Sequence, residues 1–462
     1  MQGKLSLSSA IVIGSMLFGM FFGAGNLIFP VHMGQEAGAD MWPATIGFLI
    51  TAIGLPFLGV VAIGISQSNG LFDLASRVHP TYAKLFTILL YLTIGPAFAL
   101  PRTATVSYQI GLAPYIGDDM QTMALAVFTF VFFALGLFFS MNPGKLMTYI
   151  GKILNPLFLV FLAILLIVAL VNPMGSVATA PVSGDYLTMP FFKGFTEGYN
   201  TMDALAALAF GIIVVRALQS VGVTEPKDIA AGMVKAGIVA VVLMVIIYAF
   251  LAYVGASSLG VFALSANGGI ALAQIANYYF GSVGAVLLAI TVTLACLKTA
   301  VGLICSCSET FVDLFPNSVS YKKYAYTFAI VSFLIGNVGL TQIISLAIPI
   351  LMLLYPLTIT IILLTFLAPV FKGRQAVYLS TTLFALLAAI GDALNTLPEF
   401  MGNAVWVQQT LGLYKALPFF DLGMGWVVSF SALNAFVPFC SFSSLFSTSL
   451  TRLIYISFVK AK

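Results

Sequence analysis

Apolar runs of about 20 residues or more recur along the whole chain, each long enough to cross about 30 Å of hydrocarbon at about 1.5 Å per residue. They take up so much of the 462 residues that only 7% are charged, against roughly a quarter in soluble domains. Too little polar surface is left for a water-soluble fold. The runs do not alternate with period two, which excludes a β-barrel. An all-α polytopic membrane protein is the expectation. The first run begins within ten residues of Met1, has only Lys4 as a basic flank and lacks a small-residue cleavage site. It therefore reads as a retained span rather than a signal peptide.

Proline, glycine and charge breaks divide the runs into twelve expected spans, at 9–33, 42–66, 83–112, 120–140, 146–171, 192–221, 228–255, 281–310, 322–338, 341–369, 376–394 and 421–456. With the N-terminus inside, Arg77, Lys84, Lys145, Lys152, Arg216, Lys227, Lys235, Lys322, Lys323, Lys372 and Arg374 fall on one side, joined by Lys4, Arg452, Lys460 and Lys462. The other side has only Lys193 and Lys415, against nine acids that include Asp118, Asp119 and Asp392. Basic residues near span ends set orientation, so both termini are expected in the cytoplasm. The outer loops at 256–280 and 395–420 contain short amphipathic pieces suited to capping an outer vestibule. No phosphate-cradling loop and no soluble domain is present, so any work is done within the membrane.

The four cysteines, Cys296, Cys305, Cys307 and Cys440, lie in apolar segments. Cys305 and Cys307 are two apart, on different faces of a helix, so they read as plain buried thiols rather than a metal pair or disulfide.

Three charges sit deep in spans: Arg102, Asp203 and Lys298. A buried charge costs at least about 2.5–3.5 kcal/mol on insertion scales, so each needs a partner or a function. Lys298 lies mid-span with Leu294, Ala295, Val301 and Gly302 as helical neighbours, so no acid on its own helix can pair with it. Either it forms a structural ion pair, with Asp203 as the candidate, or it handles substrate or cation. Arg102 follows Pro101 and Pro96, which free backbone carbonyls in the preceding turns. An arginine fork can satisfy those groups or serve as a ligand or gate. Asp203 fits an acid partner, a cation ligand or a helix-start cap.

The stretch FGMFFGAGNLIFP, residues 18–30, contains Gly19, Gly23, Gly25, Asn26 and Pro30. Gly19 and Gly23, four apart, fit a small-residue packing face. Asn26 and Pro30 favour a broken helix instead, whose unpaired backbone at membrane depth must line a site or be buried in protein. The half-helix after such a break offers N–H groups to a carboxylate, and the half before it offers carbonyls to a cation or ammonium. A zwitterionic amino acid suits both ends. Five spans later, ALAFGIIVV (207–215), with Ala209, Phe210 and Gly211, offers a second interruption. Paired interruptions point to a secondary transporter built as a five-plus-five inverted repeat. Residues 1–171 form its expected first half, 172–369 its second, and 370–462 two accessory spans with a tail.

The motifs FFGAGNLIFP, GPAFALPRTATVSY, TMDALAALAFG and LACLKTAVGLICSCSE together resemble, in the same order over essentially the whole chain, the bacterial branched-chain amino acid:cation symporters of the BrnQ type. The resemblance implies the fold of the neurotransmitter:sodium symporters and sodium-driven uptake of leucine, isoleucine and valine across the bacterial inner membrane. It places the substrate carboxylate on the backbone of Gly23, Ala24 and Gly25; Arg102 and the second interruption at Ala209, Phe210 and Gly211 are the further substrate candidates read from the residues themselves. Asn26 falls near a first sodium, and a second sodium falls among Gly19, Phe22, Ala295 and the pair Lys298–Thr299. Two positions depart from the family pattern: Lys298, where a small hydroxyl or aliphatic residue is expected, and Gln109, where glutamate is expected. The ammonium of Lys298 is suited to replacing the second sodium, so coupling independent of that ion is an alternative. Na+ is the only expected ion, no organic cofactor is implied, and the partners are a small-molecule amino acid and the lipid bilayer, not nucleic acid. A channel wants rings of like charge or a repeated filter, and neither is present. An intramembrane enzyme wants clustered carboxylates or histidines, yet His32 and His79 stand near span ends on opposite sides.

Overall fold

The computed structural model describes residues 5–141 and 159–430. Residues 146–158 of the fifth expected span and 431–456 of the twelfth lie outside the described residues, as do Lys4, Lys145, Lys152, Arg452, Lys460, Lys462 and Cys440. Within the described residues the chain is helical, with eight helices long and apolar enough to cross a membrane and two shorter apolar ones.

The first span consists of α1 (Leu7–Phe21) and α2 (Ala24–Ala37). A turn at Gly38–Asp40 leads into the second, α3 (Met41–Leu49) and α4 (Leu55–Ser66), joined by a π-helical stretch at Ile50–Gly54. After the short α5 (Leu71–Ser76), the third span is α6 (Pro80–Leu92) and α7 (Ala99–Gly111), joined through Thr93–Ala97. The fourth is α8 (Gln121–Met141), and α9 (Leu159–Val171) belongs to the fifth. Then come α10 (Pro190–Glu197) and α11 (Asp203–Ser220) for the sixth, and α12 (Pro226–Ser258) for the seventh. The eighth to eleventh are α13 (Gly268–Leu314), α14 (Tyr321–Gly336), α15 (Leu340–Leu367) and α16 (Gln375–Asn395). Short helices α17 (Glu399–Gly402) and α18 (Val405–Tyr414) follow.

Local chemistry sets many of these boundaries. Prolines open α6, α10 and α12, where their missing N–H costs nothing. Asn267 caps α13 by accepting from the N–H groups of Gly269 and Ile270 at 3.0 and 3.1 Å. Within α13, Gly281 (φ 59°, ψ −156°) bends the chain sharply. The piece before the bend, 268–280, belongs to the 256–280 loop expected to cap the vestibule and packs on α2, Gly268 lying against the Ile28 backbone.

Packing follows a reciprocal pattern. α1 and α2 of the first span run along α12 of the seventh, while α10 and α11 of the sixth run along α3 and α4 of the second. The third span packs on the eighth through α7 and α13, and each of these two also meets both α8 and α14. The interruptions of the first and sixth spans are buried within the bundle.

Candidate functional site

The first interruption lies at Phe22 and Gly23. Phe22 leaves the helix in extended backbone (φ −71°, ψ 100°), and Gly23 follows at φ −132°, ψ −161°. A small-residue helical packing face therefore does not hold at Gly23. The N–H of Gly23 donates to the Asn26 side-chain oxygen at 2.9 Å rather than to the Gly19 carbonyl four residues back. The Gly19 carbonyl thus loses its helical donor, and the first N–H groups of α2, on Ala24 and Gly25, have no acceptor within the helix.

The second interruption lies nine residues, about two and a half turns, before the glycine in ALAFGIIVV. α11 runs unbroken through Ala209, Phe210 and Gly211, and the chain breaks instead at Met202, a left-handed residue (φ 61°, ψ 11°) between a 3-10 turn at Gly198–Thr201 and Asp203. Gly211 serves close packing, since a side chain there would collide with Ile63 of α4. Thr201 holds the turn by donating to the Gly198 carbonyl at 2.9 Å and accepting from the Asp203 N–H at 3.4 Å.

The two breaks are tied together by polar side chains. The Asn26 amide nitrogen donates to Asp203 Oδ2 at 2.5 Å and to the Tyr248 hydroxyl from α12. Tyr248 in turn donates to Asp203 Oδ2 at 3.4 Å. All three side chains are buried. Arg102 stands in the first turn of α7, just past the kink where Gly95 leaves helical geometry (φ −93°, ψ −125°). Its Nη1 donates to the Asn200 carbonyl at 2.7 Å and its guanidinium lies 4.9 Å from the Phe29 ring centroid. The fork therefore serves a carbonyl of the sixth span rather than those freed by Pro96 and Pro101 in its own helix. Gly25 passes directly beneath it, for a β-carbon there would fall 2.9 Å from Arg102 Nη2.

Between the breaks is a cavity of about 50 Å³, lined by Gly23–Asn26, Arg102, Thr201–Asp203 and Thr299, with Phe21, Ile94, Ala206, Phe210 and Leu303 as apolar walls. That space suits a few water molecules, and an amino acid enters only if it widens. Of the expected substrate residues, Gly23, Ala24, Gly25, Asn26, Arg102 and Phe210 line it. Ala209 and Gly211 do not; both are buried in the packing of α11.

Thr299 approaches the first break, its Oγ lying 3.5 Å from where a β-carbon on Gly23 would stand, and donates to the Ala295 carbonyl at 3.2 Å. Carbonyl and hydroxyl oxygens of the kind borne by Gly19, Phe22, Ala295 and Thr299 suit a hard monovalent cation, and of these residues Thr299 lines the cavity. Lys298, the residue before Thr299, is half-buried, does not line the cavity and, among the described residues, forms no ion pair or hydrogen bond. The ion pair with Asp203 is therefore absent: Asp203 is taken by Asn26 and Tyr248. Gln109 lies away from the cavity, against Gly269 at the start of α13.

The histidines serve local structure. His32 meets the Ser265 carbonyl at 2.9 Å, and His79 accepts from the Thr81 N–H at the start of α6. Cys296, Cys305 and Cys307 are free thiols. Among the described residues no three His, Cys, Asp or Glu side chains gather to hold a metal.

Residues 6–442 match the family model described as branched-chain amino acid transport protein. The chain is 46% identical over 437 residues to the branched-chain amino acid permease BrnQ of Lactobacillus delbrueckii subsp. lactis, covering 94% of this chain and 97% of that one. It is 45% identical over 428 residues to the BrnQ permease of Bacillus subtilis strain 168, covering 93% and 96%. The crystal structure of MhsT in complex with L-phenylalanine aligns with a TM-score of 0.57 at 17% identity, covering 94% of this chain and 99% of that one. At that identity the likeness is one of fold.

Proposed function

The chain belongs to the family of branched-chain amino acid transport proteins, and from that premise we propose that it imports leucine, isoleucine and valine by cation-coupled symport with alternating access. It is a multi-pass membrane transporter and not an enzyme. The setting proposed is the bacterial inner membrane with both termini cytoplasmic, supported by the placement of the basic residues. The reciprocal packing supports a five-plus-five inverted repeat, 1–171 and 172–369, followed by accessory spans in 370–462. Exchanging first with sixth, second with seventh, third with eighth and fourth with ninth maps the first–seventh contact onto the sixth–second one and the fourth–eighth contact onto the ninth–third one.

The observation that carries this reading is the meeting of two helix interruptions, at Gly23 and Met202, around one cavity that also contains Arg102. The substrate carboxylate sits on the N–H groups of Ala24 and Gly25, where the positive end of α2 adds its dipole. Arg102 Nη2 completes that cradle. The branched side chain lies among Phe21, Ile94, Ala206 and Phe210. The coupling sodium takes oxygens near Asn26 at a first site, and of Gly19, Phe22, Ala295 and Thr299 at a second.

A second reading is favoured by one observation, Lys298 adjacent in sequence to Thr299 and without an ion pair among the described residues. In it, the fixed ammonium takes the place of the second sodium. Both readings are tested by radiolabelled leucine uptake into proteoliposomes with sodium and proton gradients imposed separately. Saturable accumulation driven by either gradient supports symport. Leucine flux that neither saturates nor accumulates against a gradient rejects it.

A further inference from the structure

The cavity contains one acid and one base that face the same space without touching. Arg102 and Asp203 both line it and both are 4% exposed. They attract one another electrostatically, yet no nitrogen of Arg102 lies within 4.0 Å of an Asp203 oxygen. A collapsed ion pair would satisfy both charges internally and leave little for a ligand. Here each charge is held apart by its own scaffold. Arg102 is anchored to the Asn200 carbonyl and stacked over Phe29. Asp203 is anchored by Asn26 and Tyr248, both on Oδ2. An ionised carboxylate accepts about four hydrogen bonds, so those donors leave capacity for another.

We propose that Asp203 binds the α-ammonium of the substrate, forming with Arg102 a two-ended clamp for a zwitterion. The proposal rests on the transport reading above and adds the group that demands a free α-amine. The substrate carboxylate goes to Arg102 and the start of α2; the ammonium goes to Asp203 at the start of α11. The empty site is neutral as a pair and stays neutral with the amino acid bound, so no net charge is carried into the membrane interior by substrate itself. An acid lacking the amine leaves Asp203 without its counter-charge, and an amine lacking the carboxylate leaves Arg102 so. Sites built to hydrogen-bond a group reject analogues lacking it far more strongly than sites that only enclose it. The clamp therefore selects for amino acids over the corresponding hydroxy acids, which differ by that one group.

The test uses the purified full chain and measures half-saturating concentrations for L-leucine and for L-2-hydroxy-4-methylpentanoate by ligand-induced thermal stabilisation. The parent should prefer leucine by about 100-fold or more. Asp203→Asn should weaken leucine by at least about tenfold while moving the hydroxy acid by less than about threefold, so that the preference collapses. Tyr248→Phe, which leaves the carboxylate in place, should retain the preference. If Asp203→Asn does not fold, Asp203→Glu decides: leucine must weaken selectively, and equal losses for both ligands overturn the proposal. An unchanged preference in Asp203→Asn, or a parent that binds both ligands alike, also overturns it. A parent that binds no leucine fails earlier, at the transport reading itself.

Discussion

Asn26 divides its two amide atoms between two elements: the oxygen holds the N–H of Gly23 and the nitrogen reaches Asp203 and Tyr248. One side chain thus stabilises the first interruption and fastens it to the second. Gly25, its neighbour, is required for another reason, the passage of backbone beneath the Arg102 guanidinium. A methyl group there would meet Nη2 at 2.9 Å and the Phe29 ring at 3.3 Å. These are closer than packed side chains normally come, and the nearest atoms belong to a side chain already fixed at Asn200. Gly25→Ala should therefore push the fork off its carbonyl and obstruct the carboxylate cradle. The expected result is a fall in leucine uptake of about tenfold or more, with the thermal midpoint of the purified protein lowered by no more than a few degrees. Unchanged uptake would mean that the backbone at Gly25 does not face the substrate.

At the scale of elements, glycine has two uses that read alike in a sequence, and the two interrupted spans show both. In the first, Gly23 lies at the break, and Asn26 three residues on supplies the side chain that holds it, so the pattern was legible. In the sixth, Gly211 allows α11 to approach Ile63 and the break occurs at Met202, which carries no such signature. The legible signal there was Asp203 itself, an acid in the first turn of a helix, where the N-terminal dipole favours it. Tyr248 could not be found from the sequence, because it meets Asn26 across 222 residues and a tyrosine in an apolar helix has no distinguishing pattern. The same duality gives a controlled comparison within α13. Gly281 adopts φ 59°, ψ −156°, a region essentially confined to glycine, although no atom lies within 4 Å of a β-carbon there. Gly302 has equally open space but lies in regular helix. Gly281→Ala should cost about 1–3 kcal/mol from backbone strain alone, whereas Gly302→Ala should be neutral or stabilising by about 0.5–1 kcal/mol. Thermal unfolding of the two variants under identical conditions reads the difference. Equal midpoints would show that the bend at Gly281 is not held in solution.

For the whole molecule, the proposed coupling turns on which charge occupies the junction between the first and eighth spans. The fold shared with MhsT brings the break at Gly23 against Thr299, and the cation proposed for this junction has two candidate sources. A free sodium and a tethered ammonium are alternatives for the same place, but they differ in what they do to transport. A sodium that binds and leaves adds its gradient to each cycle; an ammonium fixed at Lys298 holds the junction closed without drawing on any gradient. If Lys298 plays the second part, Lys298→Thr replaces the amine with a hydroxyl beside that of Thr299, and the vacated charge must be supplied from solution. Leucine uptake by the variant should then become sodium-dependent, or more steeply so than in the parent, with half-maximal activation falling in the range of physiological sodium. Its uptake without sodium should drop by about tenfold or more, the effect expected on losing one close charge interaction of about 1.4 kcal/mol. Parallel assays at fixed pH, with potassium replacing sodium, separate a specific ion from ionic strength. Identical sodium profiles for parent and variant would remove Lys298 from the coupling site and leave its ammonium a half-buried structural charge.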